Sequence, residues 1–320
     1  DLLPARGVAA IYGPSGSGKS FLTIDLCMAV AEGRAEWFGH KVKRAPVVYV
    51  VLEGQGGFRN RLKAWEVHHG RPMPADFHTT VDSLLLADDL HIQELAAVVP
   101  KGAMVIVDTL AQSAPGVDEN SGKDMSTIMR NAGLLAEWVD GLVVLVAHTG
   151  KDETRGLRGW SGIVAALDAS IQVSGERSSP VKSWKPDKVK DGEIGGERGF
   201  ELVPLEVGIS DDLEREVSCA IRPTDSAPKR SKPKPLTGEN LTAFNALLRA
   251  VAADPVPYRE PLDGGEGAHL EVWRREFYHT STADTMDAKR KNFNRARKAL
   301  AELGKGSGFD DVYKPVQLEA

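Results

Sequence analysis

Cysteine is scarce in this sequence, since only Cys27 and Cys219 occur among the 320 residues. Two cysteines cannot form a disulfide framework, nor can they complete a four-ligand zinc site on their own. We therefore expect a protein of the reducing cytoplasm, in which both thiols are buried as small apolar groups.

Long hydrophobic runs are missing as well. The longest apolar stretches, such as Leu142–Ala147, are far shorter than the roughly 18 residues of a membrane-spanning helix. The N-terminus shows no basic segment followed by an apolar one, so the sequence predicts neither a membrane span nor a secretion signal. The chain begins at Asp1 instead of methionine, from which we expect that upstream sequence has been removed.

The remaining composition, 42% hydrophobic and 27% charged residues with a net charge of −5, is typical of a folded globular chain. At roughly 150 residues per domain, the length predicts about two domains. Residues 222–238 contain four prolines, five basic residues and one acidic residue. This composition predicts a linker between an acidic domain at 1–221 and a small domain at 239–320.

The first domain alternates short apolar runs with stretches of helical period. Continuous apolar runs are typical of strands that are buried on both faces of a parallel sheet. A stripe from Met125 to Val139 predicts an amphipathic helix between two of them. The pattern therefore predicts an α/β domain with a mainly parallel sheet. The expected strands are Val8–Tyr12, Val47–Leu52, Met104–Val107, Leu142–Ala147 and Ala169–Val173.

A glycine-rich motif follows the first predicted strand and precedes a helix-period run. Its pattern, G-x-x-x-x-G-K-S, is that of a P-loop, whose backbone N–H groups converge on phosphate oxygens at a helix N-terminus. Lys19 would reach the β- and γ-phosphates of ATP, and Ser20 would bind Mg²⁺. The predicted nucleotide-binding residues are Gly13, Pro14, Ser15, Gly16, Ser17, Gly18, Lys19, Ser20 and Phe21.

Two acidic residues stand at the ends of predicted strands. Asp108 ends Met104–Val107, where it would hold a magnesium-bound water; the alternative is an aspartate that caps the next loop. Thr109 stands where many ATPases have a catalytic glutamate. Glu53, which precedes a predicted flexible turn at 54–57, is therefore expected to orient the attacking water, unless it simply begins a solvated loop.

These motifs in this order resemble a RecA-type ATPase core, and they are similar to the RepA-like hexameric replicative helicases of plasmids and phages over about residues 7–222. The resemblance implies a homo-hexameric ring that acts on single-stranded DNA. It also implies that His148 reports the nucleotide state to the DNA-binding loops; a histidine that caps a helix or lies in the core is the alternative. The segments that support it are Gly13–Ser20, Tyr49–Glu53 with Arg61-Leu62, Val105–Leu110, Leu145–Lys151 and Arg158–Ser161.

The same architecture predicts DNA contacts and a cation that acts in trans. The loops Gln112–Lys123 and Thr149–Gly162 would line the ring channel, and the second contributes Lys151, Arg155 and Arg158. Lys188 and Lys190 resemble the cations that complete a neighbouring subunit's site. The alternative for both sets is ordinary surface solvation.

Other P-loop classes fit less well. A GTPase needs an Asn/Thr-Lys-x-Asp motif, and Thr149–Asp152 is out of register with it. The Leu-Ser-Gly-Gly signature of transporter ATPases is absent from the sequence. A small-molecule kinase remains open, although it would normally have a lid instead of an appended domain.

The C-terminal domain is predicted to contain three helices followed by a hairpin, as in a winged helix-turn-helix. The third helix is basic, and its charged face would contact duplex DNA, unless it is merely solvated. The first helix is expected to bury Leu241, Phe244, Leu247, Leu248 and Val251, and the third to bury Met286, Phe293, Ala296, Leu300 and Leu303. The basic residues are Lys289, Arg290, Lys291, Arg295, Arg297 and Lys298.

Together these patterns predict a motor that uses ATP and Mg²⁺ to move on DNA. The alternative is an ATP-controlled DNA-binding switch or loader that never translocates. Neither reading requires contact with a membrane.

Overall fold

The computed structural model describes residues 2–118, 121–149, 162–190, 195–209, 212, 214–225, 236–258, 265–303, 305–309 and 311–316. The chain divides into two compact units, Asp1–Arg230 and Ser231–Ala320. In the part of the chain so described, no helix has the length and apolar character needed to cross a bilayer.

The first unit is built on a nine-stranded sheet with the order β11-β10-β9-β8-β1-β7-β6-β4-β5. The strands from β8 to β5 in this order pair in parallel, whereas β9, β10 and β11 form an antiparallel extension. The bounds of the main strands are β1 Gly7–Gly13, β4 Val47–Val51, β5 Phe77–Thr80, β6 Met104–Asp108, β7 Leu142–His148, β8 Ala169–Ser174, β9 Val181–Val189, β10 Arg198–Ile209 and β11 Arg215–Thr224.

Helices cover both faces of the parallel half, so the predicted α/β class is confirmed. One core cluster packs α1 and α2 against the sheet, and a second packs α3 and α5 on the opposite face. All five residues of β4 and of β6 are consequently buried, as their unbroken apolar sequences predict. The bounds are α1 Lys19–Glu32, α2 Gln55–His69, α3 Asp89–Val98, α4 Leu110–Ser113, α5 Gly122–Val139 and α6 Gly162–Ala166, with a small hairpin of β2 Glu36–Trp37 and β3 His40–Lys41.

The buried carboxylate of Asp25 joins three of these elements. It accepts hydrogen bonds from the indole of Trp37 in β2 at 2.9 Å and from that of Trp65 in α2 at 3.2 Å. Arg34 and His69 lie 3.3 and 3.5 Å from the same carboxylate. Burial alone would raise the pKa of Asp25, but its hydrogen bonds and the Arg34 charge outweigh that effect and hold the pKa below its usual value.

The second unit contains three helices and a four-stranded sheet with the order β12-β13-β15-β14. This agrees with the predicted order of three helices followed by a hairpin. The bounds are α7 Gly238–Ala253, β12 Val256–Pro257, β13 Glu266–His269, α8 Leu270–Thr280, α9 Met286–Glu302, β14 Gly306–Phe309 and β15 Val312–Pro315.

The predicted buried faces of α7 and α9 were partly wrong. Leu241, Met286 and Leu303 are exposed, by 41%, 64% and 50%. Small side chains let α7 approach its neighbours closely, and the Trp273 indole donates a 2.8 Å hydrogen bond to the Ala243 carbonyl there. The core of the unit consists of Ala243, Ala246, Leu247, Ala250, Ala268, Trp273, Phe277, Phe293, Ala296 and Leu300.

Candidate nucleotide-binding site

The residues predicted for the nucleotide site meet at one edge of the sheet. Strands β1, β7, β6 and β4 are parallel neighbours, so their carboxyl ends lie side by side. Lys19, Glu53, Asp108 and His148 line a single cleft of about 200 Å³ at this edge. The structure therefore brings together residues that are up to 129 positions apart in the chain.

The P-loop connects β1 to α1 through two glycines in the left-handed region. Gly16 has φ +79° and Gly18 has φ +89°, a conformation that side chains other than glycine rarely adopt. A turn is closed by the backbone N–H of Ser17, which donates to the Pro14 carbonyl at 3.2 Å. Gly13 is needed for a different reason, because a Cβ there would lie 2.1 Å from the Val173 carbonyl oxygen of β8.

Lys19 is held by the P-loop itself. Its Nζ donates to the carbonyl oxygens of Gly13 at 2.9 Å and Pro14 at 2.8 Å, and it lies 3.3 Å from Nδ1 of His148. Burial lowers the pKa of Lys19 to about 8, although the charges of Asp108 and Glu53 oppose the shift. The ammonium group is thus already in the cleft and is bound to groups that a phosphate can replace.

Asp108 and Ser20 lie together beneath the P-loop. The Asp108 carboxylate is 3% exposed, accepts a 2.6 Å hydrogen bond from the Tyr49 hydroxyl and also hydrogen-bonds Ser20. Burial raises its pKa, and the bonds from Tyr49 and Ser20 work against this rise. A carboxylate and a hydroxyl are the hard oxygen ligands that Mg²⁺ prefers. In the described residues no group of three His, Cys, Asp or Glu side chains could hold a metal.

Glu53 faces the cleft from the segment that follows β4. Its Oε2 accepts a 2.9 Å hydrogen bond from the Thr109 hydroxyl and lies 3.8 Å from Nε2 of His148. The carboxylate is 48% exposed, so water reaches it. Burial, reinforced by the Lys19 charge, lowers the pKa of His148, and the carboxylates of Glu53 and Asp108 oppose this shift. Thr109, His148 and Lys19 thus form a continuous series of polar contacts with Glu53.

The predicted flexible turn after Glu53 is instead the start of a helix. Gly54 adopts φ +66° as the N-cap residue, and α2 begins at Gln55. The Gln55 side chain donates to the Val51 carbonyl at 3.1 Å, which fixes the first turn to the end of β4. Three glycines in this turn suggested flexibility, but the Gln55 side chain fixes its conformation, since it also donates to the Val81 carbonyl at 3.1 Å.

Sequence reasoning assigned no role to Arg61, although it lines the cleft. Its guanidinium lies over the Phe21 ring at 5.6 Å, so it stands beside the first turn of α1. In the sequence, Arg61 stood out only within the Arg61-Leu62 pair that contributes to the resemblance to RepA-like helicases. The structure places it where it can stabilise negative charge in the cleft.

Lys188 and Lys190 lie outside the cleft of their own chain. The Lys188 Nζ donates to the carbonyls of Val164 at 2.7 Å and Ala165 at 2.9 Å, at the end of α6. Lys190 forms an ion pair with Asp168 at 3.1 Å. A role in a neighbouring subunit stays a prediction for both lysines.

The predicted DNA-contacting residues fall into two groups. Lys151, Arg155 and Arg158 lie outside the described residues, and the loop that was predicted at 112–123 is shortened by α4 and α5. On α9, Arg290, Lys291, Arg295 and Lys298 are exposed; we call these four residues the basic face. The other two basic residues of α9 are engaged within the unit, since Lys289 donates to the Tyr278 carbonyl at 2.7 Å and Arg297 stacks on Tyr313.

Comparison with known proteins agrees with this site. Residues 1–154 match the family model described as an AAA domain. The match covers just under half of the chain and includes the P-loop at the edge of the parallel sheet.

Among solved structures, the chain is similar to the RadB recombinase at 15% identity and a TM-score of 0.48, over 63% of this chain and 89% of that one. No curated protein sequence matches the chain. The finer resemblance to RepA-like helicases stays a prediction.

Proposed function

We propose that this protein hydrolyses ATP with Mg²⁺ in order to move along single-stranded DNA as a homo-hexameric ring. The observation that supports the chemistry best is the convergence of Lys19, Glu53, Asp108 and His148 in one cleft. Such a set provides charge neutralisation, water activation and metal binding within a few ångströms.

In the proposed reaction, Lys19 leaves the carbonyls of Gly13 and Pro14 and binds the β- and γ-phosphates. Glu53 orients a water for in-line attack and accepts its proton, while the Thr109 hydroxyl fixes the carboxylate. Ser20 and Asp108 would hold Mg²⁺, which neutralises charge that develops on the phosphate oxygens.

His148 is proposed to transmit the nucleotide state. It lies between Lys19 and Glu53, at 3.3 and 3.8 Å, and it is the last residue of β7. Movement of either group on ATP binding or hydrolysis would change the bonds of the imidazole. The residues that follow His148 in the sequence include Lys151, Arg155 and Arg158, which we propose as contacts to the DNA backbone.

The DNA part of the proposal is tested by two assays on the same protein preparation. A motor should show ATPase activity that rises with single-stranded DNA and should separate a forked duplex in an ATP-dependent manner. Glu53→Gln, which should bind ATP without turnover, is the negative control. DNA binding that changes with ATP but without strand separation would favour the switch or loader.

The ring is tested by mixing inactive subunits. If Lys188 completes a neighbour's site, Lys188→Ala subunits should be inactive alone and should regain activity when mixed with Lys19→Ala subunits. The same holds for Lys190→Ala if Lys190 is the residue that acts in trans. A mixed interface would then pair an intact P-loop with an intact lysine. ATPase activity that is independent of protein concentration, with no complementation at any ratio, would contradict the trans role.

A further inference from the structure

A fully buried lysine that the proposed mechanism does not use lies next to the P-loop. Lys182, the second residue of β9, has 0% of its surface exposed. Its Nζ donates to the backbone carbonyls of Gly16, at 3.2 Å, and Glu176. Among the described residues no carboxylate lies within ion-pair distance of it, and its hydrogen-bond partners there are two backbone carbonyl groups.

Such burial is costly and therefore needs a reason. An ammonium group that is removed from water without a carboxylate partner is strongly disfavoured. Burial accordingly lowers the pKa of Lys182, and the more distant Glu176 charge opposes this only in part. An apolar residue at this position would avoid the cost, but it could not donate to Gly16.

The Gly16 carbonyl belongs to the peptide that sets the shape of the P-loop. In a trans peptide, C=O and N–H point in opposite directions. Because the Gly16 carbonyl points toward Lys182, the N–H of Ser17 in the same peptide must point away from Lys182. This N–H donates to the Pro14 carbonyl and closes the turn. Lys182 thus fixes the orientation of one peptide in a loop that functions through the direction of its peptides.

Neighbouring contacts hold the Lys182 side chain against the P-loop. The stem of Lys182 packs on Gly175, where a Cβ would lie 2.5 Å from its Cδ, and the Phe200 ring packs on Gly18. The stem of Arg177 lies across Gly16 on the outside, 2.9 Å from where a Cβ would be. The connection between β8 and β9 and the start of β10 therefore support the P-loop from the antiparallel side of the sheet.

We propose that Lys182 is a positioning residue for the nucleotide phosphates, which holds the Gly16 carbonyl away from them and places a positive charge behind the loop. Without it, the carbonyl is free to turn toward the phosphates and repel them. This inference depends on nucleotide binding at the P-loop, but not on any action on DNA.

The test compares Lys182→Met with Lys182→Arg, and with Lys185→Met as a control on an exposed position of the same strand. Titration with fluorescent ADP and ATP should show Kd values about tenfold or more higher for Lys182→Met, because one bond from a charged donor is lost. KM for ATP should rise in parallel, and kcat should stay within about twofold. Lys182→Arg should recover most of the affinity, and Lys185→Met should match the wild type.

The outcomes separate a positioning role from a structural one. Unchanged ADP affinity in folded Lys182→Met, or a fall in kcat at constant KM, would overturn the inference. If Lys182→Met does not fold, Lys182→Gln replaces it, because glutamine keeps a neutral hydrogen-bond donor. Lys182→Gln should bind ADP several-fold more weakly than the wild type. If its ADP affinity is unchanged, or if it also fails to fold, the lysine is structural. Failure of the wild type to bind ADP would refute the ATP site itself, which is a distinguishable result.

Discussion

The two units use basic residues in opposite ways. In the first unit, Lys19 and Lys182 are 6% and 0% exposed, and each donates to at least one carbonyl of the P-loop. In the second unit, the basic face of α9 is exposed, and Lys291 forms an ion pair with Asp287 one turn earlier, at 2.8 Å.

This difference determines what each cation can do. A buried charge acts on one ligand in fixed geometry, is little affected by salt and has a pKa that depends on its surroundings. An exposed charge is screened within about 8–10 Å at physiological ionic strength, and its pairs contribute about 0–1 kcal/mol. Loss of a single buried lysine should therefore have a large effect, whereas the residues of the basic face should contribute through their combined charge.

The largest effect is expected at the cleft. Lys19→Ala should abolish ATP hydrolysis and weaken ATP binding, because it removes the ammonium group that the P-loop carbonyls hold where the β- and γ-phosphates would bind. Steady-state ATPase assays with nucleotide titration measure both effects, with Lys185→Ala as a control on an exposed lysine. Residual turnover near the wild-type value would mean that the buried cation is dispensable.

A smaller loss is expected when the charge of Glu53 is removed. Glu53→Gln should still bind ATP but turn over at least tenfold more slowly, since loss of a positioned general base commonly costs about 10²–10⁴. Single-turnover hydrolysis beside a binding titration separates the two properties. Glu94→Gln on α3, an exposed position, is the matched control. Turnover like that of the wild type would remove Glu53 from the mechanism.

The smallest effects are expected at the basic face. Changing Lys291, Arg295 and Lys298 together to glutamate should weaken duplex DNA binding and flatten its salt dependence, because each phosphate contact adds about 0.9 to the slope of log affinity against log salt. ATPase activity without DNA should not change. A control of equal net charge, with glutamate at the exposed Lys41, Lys43 and Lys63, should retain the slope; if both triple variants behave alike, the face is only solvated.

The parallel half of the sheet in the first unit could be predicted from the sequence because its signals are local. Unbroken apolar runs placed β4 and β6, and the residues at their ends, Glu53 and Asp108, had to meet at one sheet edge. The role of Lys182 was not predictable, because a lysine in a strand is normally exposed, whereas this one is paired with Phe200 of β10 and packs on Gly175. The alanine face of α7 was missed for a related reason: small side chains give a weak hydrophobic signal, although close helix packing requires them.

The Asp25 cluster makes the stability of the first unit depend on pH. One ionised carboxylate ties together the helix that begins at the P-loop, the β2 hairpin and α2. Since the native pKa of Asp25 lies below its unfolded value, its stabilisation is present above about pH 4 and disappears as the pH falls through the native pKa. Asp25→Asn should lower the free energy of unfolding by at least ~2 kcal/mol at pH 7, and by less at pH 3, in urea titrations against the exposed control Asp140→Asn. If the loss of unfolding free energy is the same at both pH values, hydrogen bonding alone, and not the charge of Asp25, holds these elements together. If the loss is smaller at pH 3, as expected, then protonation of one carboxylate weakens the packing of the P-loop helix, the β2 hairpin and α2 at the same time.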